Sequence, residues 1–565
     1  MRFFLILFVL LNIKTTHSLL GQESILTLSF QGNSPQENSI IDSLSYQKSF
    51  NDLNSLKKES SNITQKLIDK GYIDARLVAL QKKGTSSYEG KIHIQHLYKW
   101  ISIHISNNKK LREFINQANL EIKEDSIKIE TASAKALLEK LTSIAANNGN
   151  PFASFQLTDI SKTITNTLTA QLLLTSKEKR TIDNIVIKGY EEFPKTFLNR
   201  YAGIKTEKSF NQEELLKQNT RINNLPFAKT TKEPEVLFRK DSTTVYFYLE
   251  QVISNRFDGF IGFTSDEVTN NLRLNGYIDL QLTNNFNYGE TFLLNYKSDG
   301  GDQSQLNATI SLPYLFKSPI GVEAKLALFR KDSTFSITNQ EIKAFYNIST
   351  TTKTSVGYLA TQSENLQDNL VTSPSTTADY TANKLLIIGE YNKTQDNYFF
   401  PTKTHLSINS GLGNRTTDQT QQQLSAELEA STIINLNKNN LIHIRSITKS
   451  LWSDNYLTNE LYRFGGITSI RGFEENSIFA NFLSHINTEY RYVLNQSLYV
   501  HSLIDLGYFE NEINNQEQNL FSFGIGTGIR TKAGVLKIVI ANGKNENQNF
   551  DFNKTKLHFQ LAIRF

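Results

Sequence analysis

The chain has 565 residues, 39% of them hydrophobic and 20% charged, with a mean hydropathy of −0.37 and a formal net charge of +5 at pH 7. That length implies several domains, and that hydropathy excludes a bundle of membrane helices but not a membrane β-barrel, whose strands alternate lipid-facing and lumen-facing side chains and so read as only half apolar. The absence of cysteine rules out disulfides, thiolate metal sites, a cysteine nucleophile and a lipid anchor on cysteine, and no basic block points to nucleic acid.

Residues 1–18, "MRFFLILFVLLNIKTTHS", carry a cationic Arg2, an apolar run from Phe3 to Leu11 and the small residues Thr16 and Ser18. The run is too short to span a bilayer, and the pattern reads as a secretory signal peptide. No later apolar run approaches the ~20 residues of a transmembrane helix. Any membrane crossing is therefore expected to be made by strands.

Residues 19–98 read as a first small α/β module. "ILTLSFQGN", from Ile25, is a strand; "NITQKLIDKGYIDARLVAL", from Asn62, is a helix stopped at Gly71 and followed by a strand; further strand follows from Tyr88. Residues 99–179 read as a second module around the helical "SAKALLEKLTSIAANNG". The pattern is clearest in residues 180–252. Ile182, Ile185 and Ile187 form a strand ending at Gly189, and Pro194 suits the first turn of a short helix through Tyr201. Asn211 with Glu214 has capping-box spacing, and Leu215, Ile222 and Leu225 share one helical face. A hairpin follows, from Val236 and Phe238 through Asp241-Ser242 to Val245, Phe247 and Leu249. This order of strand, helix, helix, strand, strand resembles the POTRA (polypeptide-transport-associated) domain, so three POTRA-like modules are expected.

Residues 254–565 change character: strand patterns follow one another with almost no helix. Sixteen strand candidates fit, each leaving room for the ~9–11 residues of a membrane strand and its connection. In "KLHFQLAIRF", Leu557, Phe559, Leu561, Ile563 and Phe565 fall on one face and His558, Gln560 and Arg564 on the other. In "LFSFGIGTGIR", Phe521, Phe523 and Ile525 alternate with Ser522, Gly524 and Gly526. The polar inner face suits a water-filled lumen better than the dry core of a sandwich. The 23 tyrosines and 36 phenylalanines suit aromatic girdles. The expected fold is α+β modules followed by a 16-stranded antiparallel transmembrane β-barrel.

The longest connection, roughly 30 residues between candidate strands eleven and twelve, contains "RFGGITSIRGFEEN". With the modules in the periplasm it becomes the sixth external loop. Alternation in "LSHINTEYRYVL" and "LYVHSLIDLGYF" turns Glu489 and Asp505 inward on adjacent strands. A loop folded into the barrel could set Arg471 between them, since a guanidinium fork binds carboxylates in pairs; Gly472 would let the backbone turn and Phe473 could wedge against the wall. An Arg-Gly pair is also an ordinary turn, and polar side chains inside a barrel are ordinary too.

"GGITSIRGFEENSI", "NTEYRYVL", "LIDLGYF", "FGIGTGIRTKAGVLKIVIANG" and the terminal "FQLAIRF" resemble the loop-six signature and closing strands of the outer-membrane assembly and translocation superfamily of the BamA/TamA type. The resemblance covers essentially the whole chain after the signal peptide. One departure is Thr404 in "NYFFPTKTHLS", where glycine is usual. The resemblance implies that Arg471, Gly472, Phe473, Glu489 and Asp505 form an interior lock, and that the protein inserts outer-membrane proteins or moves polypeptides across the outer membrane. The seam between the first strand, with Phe257, Gly259 and Gly262, and the last, with Phe559 and Phe565, would then pair with client strands. The expected partners are unfolded outer-membrane or secreted client polypeptides, outer-membrane lipid and periplasmic or accessory proteins, with no nucleic acid, metal or cofactor. A two-partner-secretion transporter exporting one dedicated protein is the alternative. An enzyme is not expected: no nucleophile elbow or His-Glu-x-x-His occurs, and "GIGTG" is followed by strand rather than helix.

Overall fold

The computed structural model describes residues 25–565 apart from 165, 253, 266–271, 300–302, 368–376, 532–533, 547–549 and 564–565. The expected signal peptide and Phe565 lie outside the described residues. The chain forms two compact units, one reaching Ile182 and including Glu207–Glu214, the other holding the rest.

The first unit contains two small α/β sheets. In the earlier one, strand Leu26–Gln31 runs parallel to Ser87–His93, which pairs antiparallel with Arg76–Lys82. Ile41, Ile63, Leu67, Ile92 and Ile94 form its core. The main helix begins at Leu53, nine residues before Asn62, because Asp52 accepts a hydrogen bond from the Ser55 N–H at 2.8 Å and caps it. A shorter helix, Pro35–Asp42, starts on the Ser34 hydroxyl. Gly71 adopts φ +101°, which ends the longer helix. In the next sheet Trp100–Ile105 runs parallel to Thr167–Thr175, which pairs antiparallel with Ser154–Lys162. Helices Lys109–Gln117 and Ala134–Asn147 cover it, with Leu111, Ile115 and Leu141 fully buried.

The second unit opens with a third sheet of the same logic. Asn184–Lys188 runs parallel to Thr243–Gln251, which also pairs antiparallel with Glu235–Phe238 and with Ala228–Thr230. In all three sheets, then, the first strand lies parallel beside the last. The anticipated helix after Pro194 is one short turn, Lys195–Phe197, that widens into a π-turn through Ala202 and stops at Gly203. Helix Gln212–Asn223 buries Leu215 and Ile222.

Sixteen antiparallel strands follow in simple sequential order, from Arg256–Ser265 to Lys556–Ile563. Strands eight, nine, ten and fourteen are the longest, at 15, 15, 16 and 15 residues, whereas the first and last have 10 and 8. Outward positions are apolar and exposed, including Leu385, Ile387, Tyr490, Ile504, Ile525 and Phe559. Among the described residues no ladder joins the first strand to the last. The third sheet docks on two turns at its end of the barrel. Asn284 Nδ2 donates to the Tyr190 hydroxyl at 2.7 Å, Asn287 Nδ2 donates to Glu192 at 3.0 Å, and Arg200 Nε donates to the Lys317 carbonyl at 2.8 Å. The Phe197 ring meets Tyr314 edge-on, 4.9 Å between centroids.

Candidate functional site: loop six inside the barrel

Strands eleven, Asn440–Trp452, and twelve, Phe482–Asn495, are joined by a loop with a small hairpin of its own, Tyr462–Phe464 against Ile478–Ala480. The hairpin tip, residues 465–477, enters the barrel. Ile470 and Arg471 are 0% and 5% exposed.

Strand geometry fixes what Arg471 meets. Asp505 on strand thirteen, Leu498–Asn511, pairs with Asn487 on strand twelve, so Glu489 is its diagonal neighbour on the same inner face. Diagonal positions lie about 7–8 Å apart, a span one guanidinium can bridge. Arg471 donates to Asp505 from its backbone N–H (3.0 Å), Nε (2.8 Å) and Nη2 (2.5 Å). Its Nη1 donates to Glu489 Oε1. Two partners come from outside the loop. Arg491 Nε donates to the other Glu489 oxygen at 2.6 Å, and the Ser522 hydroxyl lies 3.4 Å from Asp505 Oδ2. Two guanidinium groups and two carboxylates thus neutralise each other in a buried place, which an unpaired charge could not occupy without a large desolvation cost.

Gly472 has φ +87°, and a Cβ there would lie 2.7 Å from the Gly543 nitrogen, so the loop backbone presses on strand fifteen, Gly534–Lys544. Phe473 takes the space above Gly543, where any side chain would meet its ring at 2.6 Å. Arg471, Gly472 and Phe473 therefore face strands twelve, thirteen and fifteen together. Gly259 lies within the first strand close against the Tyr277 carbonyl of its neighbour, and Gly262 lies in the same strand. Phe257 and Phe559 both face outward, 65% and 62% exposed.

The inner wall is less wet than its alternation suggested. Ile447, Leu483, Phe509 and Leu520 also point inward, and with Phe464, Ile470 and Ala480 of the loop they form a buried apolar cluster. Only the docked loop makes those positions dry, so strand alternation alone could not reveal them. A second closure sits at the barrel end bearing the third sheet. The turn Gln395–Pro401, between strands eight and nine, folds inward and packs Phe399 and Phe400 on Tyr499, Ile433, Leu441 and Val535. The Arg491 guanidinium lies 4.3 Å from the Phe400 ring centre. Glu489 is thereby shared between the loop-six arginine and the arginine that covers this aromatic plug.

A sixteen-stranded lipid-facing sheet, an inward loop pinned by an arginine on two carboxylates, and N-terminal α/β modules together define a barrel of the outer-membrane assembly and translocation class. The Omp85 superfamily domain matches residues 281–565, and the chain belongs to that superfamily. Among solved structures, BamA from Haemophilus ducreyi lacking POTRA domains 1–3 is similar over 81% of this chain and 97% of that one, at 14% identity and a TM-score of 0.51. CdiB from Escherichia coli is similar over 90% of this chain and 98% of that one, at 12% identity and a TM-score of 0.51. At such identities the likeness is one of fold. No curated protein matches the sequence. The chain is an outer-membrane protein that serves protein assembly or translocation.

Proposed function

We propose that the chain assembles outer-membrane proteins by offering the edges of its barrel sheet to client strands. The observation that carries this reading is the pair of terminal barrel strands with no ladder between them among the described residues. Unpaired backbone N–H and C=O groups in lipid cost several kcal/mol each, so such an edge seeks a partner strand. Main-chain pairing asks little of the client's sequence, which suits a factor with many clients. In this reading the three α/β modules are POTRA-like, lie in the periplasm and hand on unfolded client polypeptides through their own sheet edges. Accessory proteins dock on the same modules, and no step is enzymatic. Loop six keeps the barrel wall in shape while the seam works.

Two features favour work at the seam over passage through the lumen: the loop-six cluster and the Phe399–Phe400 plug both occupy the interior. A dedicated exporter would have to displace both. The test is a disulfide engineered between the first and last strands, clean in a chain without cysteine. Loss of client assembly with the barrel still folded, and recovery on reduction, is the expected result. A cross-linked protein that still assembles clients refutes the reading. Depletion followed by comparison of outer-membrane proteomes separates the two activities: broad loss of barrels marks an assembly factor, loss of one secreted protein an exporter.

A further inference from the structure

Consecutive loop-six residues reach opposite sides of the seam. Glu474 accepts a hydrogen bond from Lys556 Nζ at 2.8 Å, at the start of the last strand. Glu475 lies 3.3 Å from Lys297 Nζ on strand three, Thr291–Asp299. Asn476 Nδ2 donates to Gln303 Oε1 on strand four at 3.0 Å, and Gln303 Nε2 donates back to the Glu475 carbonyl at 3.4 Å. On the last strand's side, the Gly472 N–H points to His558 Nε2 at 3.4 Å. Within five residues the chain passes from the strand that ends the sheet to the wall that begins it.

The strengths of these contacts differ by design of their surroundings. Arg471 and Asp505 side chains are 6% and 0% exposed, and separating them would strand a buried charge. The Glu474 and Lys556 side chains are 71% and 36% exposed, and those of Glu475 and Lys297 are 38% and 56% exposed. Ion pairs so open to solvent contribute about 0–1 kcal/mol and weaken as salt rises. The loop is held firmly where it enters the barrel and loosely where it touches the seam.

We propose that Glu474 and Glu475 are positioning residues that form a releasable clasp across the seam, limiting how far the last strand moves from strands three and four while Arg471 stays anchored. The proposal rests on the seam reading above. The clasp makes the closed arrangement the resting one and lets it yield to a modest competing interaction, such as a client strand pairing with the last strand. No separation of the buried Arg471–Asp505 pair is required.

The test is a spin-label distance measurement on the full chain in nanodiscs, with nitroxides on cysteines placed at Phe257 and Phe559, both outward-facing. Glu474→Lys should shift the ratio of wide to narrow seam about two- to fivefold toward wide, the equivalent of one exposed pair. The charge swap Glu474→Lys with Lys556→Glu should restore the original distribution, and Glu475→Lys with Lys297→Glu should behave the same way. High salt should widen the unmodified seam and leave Glu474→Gln little changed. An unaltered distribution in Glu474→Lys, or a swap that folds but does not restore it, overturns the clasp. The seam reading itself falls only if the cross-linked barrel still assembles clients, so the two failures are separately visible. Glu474→Gln, which adds no repulsion, covers the case in which the reversed charge prevents folding.

Discussion

Arg471 and Asp505 meet through three hydrogen bonds, one from the backbone N–H and two from a single guanidinium, with the carboxylate fully shielded from solvent. Among the described residues Asp505 has no cation but Arg471 within ion-pair distance, whereas Glu489 also holds Arg491. Asp505→Asn takes away the carboxylate that accepts three of Arg471's hydrogen bonds, and Glu489→Gln takes away the one paired with the buried Arg491, so both should lower stability. Orphaning a buried charge costs about 3–5 kcal/mol, and Arg471→Ala, which orphans Asp505, belongs at the top of that range. The temperature at which the folded band is lost in cold detergent electrophoresis orders the three variants. Equal melting of Asp505→Asn and wild type would contradict the assignment of the anchor.

Glu489 joins loop six to the aromatic plug, because Arg491 grips its second oxygen and lies over Phe400. Replacing Phe399 and Phe400 together with alanine should raise conductance in planar bilayers several-fold. Glu489→Gln should raise it less, by loosening Arg491. Combining the two changes should give less than the product of their separate effects, as expected for residues in one network. A fully multiplicative response would mean that plug and loop are independent.

Gly543 leaves room for one ring only. Gly543→Val would drive Phe473 from its place, since even a Cβ would come within 2.6 Å of it. Phe473→Ala instead leaves a hole and should cost about 1–3 kcal/mol for this half-buried ring. The pair Gly543→Val with Phe473→Ala should be more stable than Gly543→Val alone. Failure of the alanine to rescue would place the Phe473 ring elsewhere.

Gly289 adopts φ +73°, and a Cβ there would sit 2.0 Å from the Phe197 ring. Gly289→Ala should loosen the third sheet from its turn by about 1–3 kcal/mol while the barrel stays folded. Hydrogen exchange at residues 284–290 should rise, and proteolysis should release the N-terminal modules sooner. Unchanged exchange would show that the turn does not carry the docking.

Period-two patterns made much of this readable. The alternation of strands twelve and thirteen puts Glu489 and Asp505 on one wall, and the Arg-Gly-Phe loop stands out just ahead of them because two glycines interrupt the strand pattern. The role of Arg491 is not legible in the sequence, because an inward arginine beside water needs no explanation until Phe400 folds beneath it. Leu483, Phe509 and Leu520 sit on the polar face of their strands, and their role emerges only when a segment remote in sequence covers them. The first two turns of the helix that begins at Leu53 escape the periodicity because its buried face includes Ser60, whose hydroxyl donates to the Leu56 carbonyl and interrupts the apolar stripe. Strand Ala228–Thr230 is three residues long, below what any periodicity can report.

The docking of Tyr190, Phe197 and Arg200 onto the turns at Asn284–Gly289 and Tyr314–Lys317 reaches beyond local packing. Those turns link strands two to three and four to five, on the flank that adjoins the first strand. A pull on the third module would reach the barrel first through these two turns, as a handle reaches a door.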